Sequence, residues 1–126
     1  MCSSDLEAMV MTKGEQTRDF NFVSDIVDGL VRMATVPLCN EYVLNLASGI
    51  ETSISSVVQL IYELCDARTQ PLIGALPYRQ GETMHFFGDN QNATRKLGWV
   101  PRVSLREGLF HTIDWYRQYL QKEKLL

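Results

Sequence analysis

Hydrophobic residues fall into short runs whose period changes along the chain, and each period selects an element. Near the start, Ala8-Met-Val-Met11 and Asp19-Phe-Asn-Phe-Val23 read as extended runs. They flank Lys13-Gly14-Glu15-Gln16, a glycine-bearing turn, so an N-terminal hairpin or loop is expected. The second run alternates, with Phe20 and Phe22 on one face. Ile26, Val27, Leu30, Val31 and Ala34 then recur at helical spacing, which predicts a helix from Asp25 to about Ala34 with those residues as its buried stripe. Ser24 is placed to cap it, and Asp25 suits the positive end of its dipole.

Tyr42-Val-Leu-Asn-Leu46, closed by Ser48-Gly49, suits a buried strand before a tight turn. A second helix follows, capped by Thr52 or Ser53, with Ile54, Val57, Val58, Ile61, Leu64 and Cys65 in register up to about Ala67. Pro71 and Pro77 bracket Leu72-Ile-Gly-Ala-Leu76, again strand-like, and strand–helix–strand in this order favours parallel pairing through a right-handed crossover. Tyr78 to Asp89 reads as a loop with one extended piece around Met84 to Phe87. Asp89 then caps a short helix from Asn90 to Leu97, which Gly98 ends because glycine enters the left-handed conformation freely. Ser104-Leu-Arg-Glu107 is a capping box that opens the last helix, with Leu105, Leu109, Ile113, Tyr116 and Leu120 as its core face and a frayed Gln121-Lys-Glu-Lys tail. Trp99 and Trp115 are expected to pack.

The sum is an α/β chain with about four helices, a small parallel strand pair and an N-terminal hairpin. A parallel sheet normally has both faces covered, and two or three strands make too narrow a sheet for these apolar edges. The chain therefore reads as a partial fold, some of whose edges belong against another domain.

Composition narrows the class. The 126 residues suit one domain at most, and 12 Lys+Arg against 15 Asp+Glu, a net charge of −3, supply no clustered basic surface for nucleic acid or an acidic membrane. No apolar run nears the roughly 20 residues of a membrane span. Cys2, Cys39 and Cys65 are odd in number and widely spaced, which makes neither a disulfide framework nor a metal knuckle and fits a reducing cytoplasm. Residues 1–6 lack any apolar period and join abruptly onto Glu7-Ala-Met-Val-Met11; they read either as a non-native leader, leaving 7–126 as the domain, or as an ordinary disordered terminus.

Two segments hold polar groups the fold does not need, Gln16-Thr-Arg-Asp-Phe-Asn-Phe-Val-Ser-Asp25 and Leu76-Pro-Tyr-Arg-Gln-Gly-Glu82, and each sets one arginine beside a turn. Five fixed donors and a permanent charge suit arginine to bidentate capture of phosphate or carboxylate. If Arg18 and Arg79 converge on one cleft, the implied ligand is a diphosphate. The plainer reading is two exposed ion pairs, with Asp19 and with Glu82, each worth under about 1 kcal/mol. His85 and His111 have no Ser, Cys or acid at a telling spacing, so neither is marked as a catalytic base.

Read in order, Arg18-Asp-Phe-x-Phe-Val-x-Asp25, Asn45-Leu-Ala-Ser-Gly49, Tyr78-Arg-Gln-Gly-Glu82, Asp89 with Leu97-Gly-Trp-x-Pro101, and Ser104-Leu-x-Glu-Gly-Leu109 resemble the C-terminal third of the extended short-chain dehydrogenase/reductase family. That family contains the NAD-dependent nucleotide-sugar epimerases, 4,6-dehydratases, decarboxylases and reductases. The resemblance runs from about Lys13 to Tyr119. It implies a substrate-binding region in which Arg18 and Arg79 grip the diphosphate of a nucleoside diphosphate sugar, and Glu82 either meets a ribose hydroxyl or braces the neighbouring arginine. It further implies that Asp25 supports the motif or starts its helix, and that Asn45 and Ser48 line a strand end near the cofactor domain. Phe20 stands where many members carry Tyr, which removes a hydroxyl there.

The family's NAD chemistry needs a Gly-rich turn at a helix N-terminus and a Tyr-x-x-x-Lys pair. No two glycines of this chain stand three apart, and no tyrosine is followed four residues later by lysine. The expectation is a chain lacking the Rossmann domain, with no catalytic, NAD-binding or metal residue of its own and inactive alone. Its full-length parent would use NAD and pair as a homodimer. A stand-alone nucleotide-binding module is the rival from another class.

Overall fold

A computed structural model describes residues 8–37 and 43–123. In chain order the elements are β1 (Val10–Met11), β2 (Thr17–Arg18), α1 (Val23–Thr35), β3 (Thr52–Ser53), α2 (Ile54–Leu64), β4 (Leu72–Ile73), α3 (Gln91–Leu97) and α4 (Leu105–Glu123). The α/β class, the four helices and a parallel strand pair stand as the pattern predicts. The parallel partner of β4 is β1, with Val10 opposite Leu72 and Met11 opposite Ile73. The antiparallel pair joins β2 to β3, with Thr17 opposite Ser53 and Arg18 opposite Thr52. β1 and β2 lie in different pairs.

Residues 43–50 form no strand: Leu44 and Leu46 pack instead against the cluster of Ala93, Leu97 and Trp99. Tyr42 lies outside the described residues, as do residues 1–6, Cys39 and Lys124. A second cluster joins Met11 on β1 to Val58 and Tyr62 on α2.

Ser53 caps α2, its hydroxyl accepting the Ser56 N–H at 3.2 Å. The helix stops at Leu64, short of Ala67, because Asp66 takes a left-handed φ of 52° that a helix does not continue through. α3 starts where the Asp89 carboxylate accepts the Gln91 N–H at 2.9 Å, and ends on Gly98 at φ 60°. The Ser104 hydroxyl accepts the Glu107 N–H at 3.2 Å at the start of α4.

α1 departs from expectation in two ways. Its cap is Phe22, which offers no side-chain acceptor, so Ser24 lies inside the helix rather than before it. Its expected stripe is not buried: Val27, Leu30 and Val31 are each more than half exposed, and Ala34 is exposed too. Asp25 and Gly29 face the protein instead. Asp25 sets that orientation. Its main-chain oxygen accepts the Trp99 indole N–H at 2.8 Å, and its carboxylate accepts the Arg102 and Val103 amides at 3.0 and 2.9 Å.

Trp99 is fully buried, as expected. Trp115 is 57% exposed and stacks along its own helix, its ring 5.3 Å from that of Tyr119. Tyr116 and Leu120 are likewise exposed, because α4 meets the rest of the described chain through its first half. Gln121 to Glu123 are helical rather than frayed.

Candidate functional site

The β2–β3 pair positions the two arginines through a four-residue segment laid beside β2. The Thr17 amide donates to the Met84 carbonyl at 2.7 Å. Next to it, Arg18 Nη1 donates to the carbonyls of Thr17 and Thr83 at 2.7 and 2.9 Å, and Nη2 to Glu82 Oε1 at 2.7 Å. The other oxygen of the same carboxylate, Oε2, accepts from Arg79 Nε at 2.7 Å. One carboxylate therefore holds two guanidiniums.

The Glu82 side chain is only 12% exposed, while that of Arg79 is 79% exposed and turns its outer nitrogens to solvent. The trio carries two positive charges against one negative, with donors in excess. Its excess donors and net positive charge suit an anion rather than nucleophilic or proton-transfer chemistry.

The fold uses the remaining sequence candidates elsewhere. Asp25 is buried in the first turn of α1 and bonded to the Trp99–Val103 segment. Asn45 Nδ2 donates to the Asp89 carbonyl at 3.4 Å. Ser48 donates its amide and its hydroxyl to Asp19 Oδ1 at 2.8 and 2.7 Å.

From its sequence position Asp19 reads only as an ion-pair partner for Arg18, and the structure gives it a larger part. Besides Ser48, its carboxylate accepts the Gly49 amide at 2.9 Å, the Gly88 amide at 3.2 Å and the Asn21 side-chain amide at 2.8 Å. Burial pushes this carboxyl upward, but the hydrogen bonds from Ser48, Gly88 and Gly49 outweigh it and hold it below its usual range. The available signal was a carboxylate directly after the arginine in a chain that also offers two glycine-bearing turns, Ser48-Gly49 and Gly88-Asp89.

A second polar group sits on the same strand pair. His85 Nδ1 lies 2.6 Å from Glu51 Oε1, and the Thr17 hydroxyl donates to that same oxygen. The bonds from Thr17 and His85 hold the Glu51 carboxyl below its usual range. His111 stands 3.9 Å from Glu107, with its ring beside Phe22, away from the arginines. A separate hollow of about 90 Å³ between Phe22 and the start of α4 contains none of Arg18, Arg79 or Glu82. Among the described residues no His, Cys, Asp and Glu gather as metal ligands, and no helix is long and apolar enough to cross a membrane.

Comparison with known proteins gives a consistent likeness. The family model described as GDP-mannose 4,6 dehydratase matches residues 2–112. UDP-glucose 4-epimerase of Mycolicibacterium smegmatis is 35% identical over 108 residues, which cover 86% of this chain and 34% of that protein. UDP-glucuronic acid decarboxylase 1 of Danio rerio is 35% identical over 114 residues, covering 90% of this chain and 26% of the relative. Among solved structures, MoeE5 in complex with UDP-glucuronic acid and NAD superposes with a TM-score of 0.77 at 33% identity, over 87% of this chain and 37% of the other. The chain thus spans about a quarter to a third of the length of the curated relatives it matches.

Proposed function

The chain belongs to the extended short-chain dehydrogenase/reductase family, as its match to the GDP-mannose 4,6 dehydratase model shows, and on that premise we propose that it is the C-terminal nucleotide-sugar-binding part of an NAD-dependent nucleotide-sugar epimerase or 4,6-dehydratase. The observation that carries the reading is the convergence of Arg18 and Arg79 on the two oxygens of Glu82. In the free chain Glu82 braces guanidiniums that would otherwise repel. A diphosphate brings two negative charges to the exposed Arg79 guanidinium and to the donors Arg18 has left. Asn45, Ser48 and Asp25 act by holding the surrounding segments rather than by touching the sugar.

NAD belongs to the complete protein, where it supplies transient oxidation of a sugar hydroxyl. This chain's own residues do not fit it, having neither the spaced glycines nor the Tyr-x-x-x-Lys pair, so no step is assigned to them. The partner that completes the enzyme is an N-terminal Rossmann domain, and the exposed stripe of Val27, Leu30 and Val31 on α1 supports that docking. A cytoplasmic homodimer completes the proposal. A decarboxylase of the same family is the second reading, favoured by the Danio rerio relative.

Calorimetric titration with UDP-glucose tests the clamp. A charge-assisted hydrogen bond contributes about 1.5–3 kcal/mol, so Arg18→Ala and Arg79→Ala should each weaken binding about 10- to 100-fold. An isotherm that neither substitution changes, or no binding at all, overturns the clamp.

A further inference from the structure

Residues 82 to 85 are bonded to the β2–β3 pair at four successive positions. The Glu82 carboxylate takes Arg18, the Thr83 carbonyl takes Arg18 Nη1, the Met84 carbonyl takes the Thr17 amide, and the His85 imidazole donates to Glu51. The arginine clamp is one end of this zipper and His85 is the other. Neither His85 nor Glu51 stands out in the sequence as part of the clamp.

Resting on the clamp reading above, we infer that Glu51 and His85 are positioning residues for it: their contact pins the far end of the segment that carries Glu82, and the pin strengthens when His85 is protonated. The groups that face the imidazole are the Glu51 carboxylate, from the segment entering β3, and the Thr17 hydroxyl, from β2. Arg18, the adjacent charged residue on β2, is turned to Glu82 and to backbone carbonyls. Imidazole changes charge between pH 5 and 8, and a cation beside Glu51 is held more strongly than a neutral ring. Because both side chains of the pin are substantially exposed, the effect is that of a surface ion pair.

The test has two readouts on the same chain. In the first, NMR follows the His85 ring and the Thr17 amide as pH falls from 8 to 5.5. The Thr17 signal moves with the His85 midpoint in the native chain and loses that inflection in Glu51→Gln and in His85→Gln. A Thr17 signal that ignores His85, or that keeps the inflection in either variant, overturns the pin.

In the second, UDP-glucose, whose diphosphate keeps its charge over this range, is titrated at pH 6 and pH 8 at constant ionic strength. Binding is about two- to fivefold tighter at pH 6, the range an exposed ion pair supplies, and the difference vanishes in both variants. Native binding equal at the two pH values, or a difference retained by both variants, overturns the positioning claim. Absence of binding at both pH values overturns the clamp reading instead, while the first readout still decides the pin.

Discussion

At Asp19 two carboxylate oxygens meet five donors from Asn21, Ser48, Gly49 and Gly88, so one side chain ties together three loops that are far apart in the sequence. Its carboxyl is held below the usual range in the folded chain, so the stability it contributes is complete above the unfolded value of about 4 and drains away as pH falls through the folded value. Urea unfolding between pH 5 and pH 2 should therefore show a steeper acid loss for the native chain than for Asp19→Asn. At Gly88 an added Cβ would collide with the Cβ of Ala47, a rigid neighbour, so Gly88→Ala should cost about 1–3 kcal/mol in the same assay.

Arginine chemistry was legible at this scale because a guanidinium beside a turn has few structural uses. Asp19 was not, since nothing in Arg-Asp-Phe says that the acid faces glycine amides instead of its neighbour. Nor did the sequence say that Glu82 would serve both arginines, because that depends on how residues 78–85 fold back along β2.

Helices are set by local chemistry, and here the local signals point both ways. Ser53 accepts the Ser56 amide and caps α2, so Ser53→Ala should lower stability by about 1 kcal/mol. Ser24 looks equally suitable in sequence, yet it lies in the first turn of α1 and caps nothing, so Ser24→Ala should stay within about 0.5 kcal/mol. Paired urea melts read by circular dichroism distinguish the two.

The same contrast explains what the hydrophobic pattern revealed. The 3.6-residue period finds α1, but it cannot say which face the present chain covers, and Asp25 turns the apolar stripe outward by binding the Trp99–Val103 segment. Each strand is two residues long and pairs with a distant partner. Run length and alternation therefore located extended backbone without choosing its neighbours.

At the scale of the whole fold, the described residues form two small cores and leave an apolar helix face exposed. An exposed apolar face of that kind is what the proposed docking against a Rossmann domain would cover. A hydrophobic dye should bind the native chain, and Val27→Lys with Leu30→Glu should reduce its fluorescence several-fold while stability changes by less than about 1 kcal/mol. A large stability loss would mean that the stripe is part of this chain's own core. The clamp is tested most directly by following the Nε–H signals of Arg18 and Arg79 while UDP-glucose is added. A shared grip on one diphosphate moves both along a single saturating curve, while Arg32 and Arg106, tied to Asp28 and Glu63, stay where they are. Movement of only one of the two, or of neither, contradicts it.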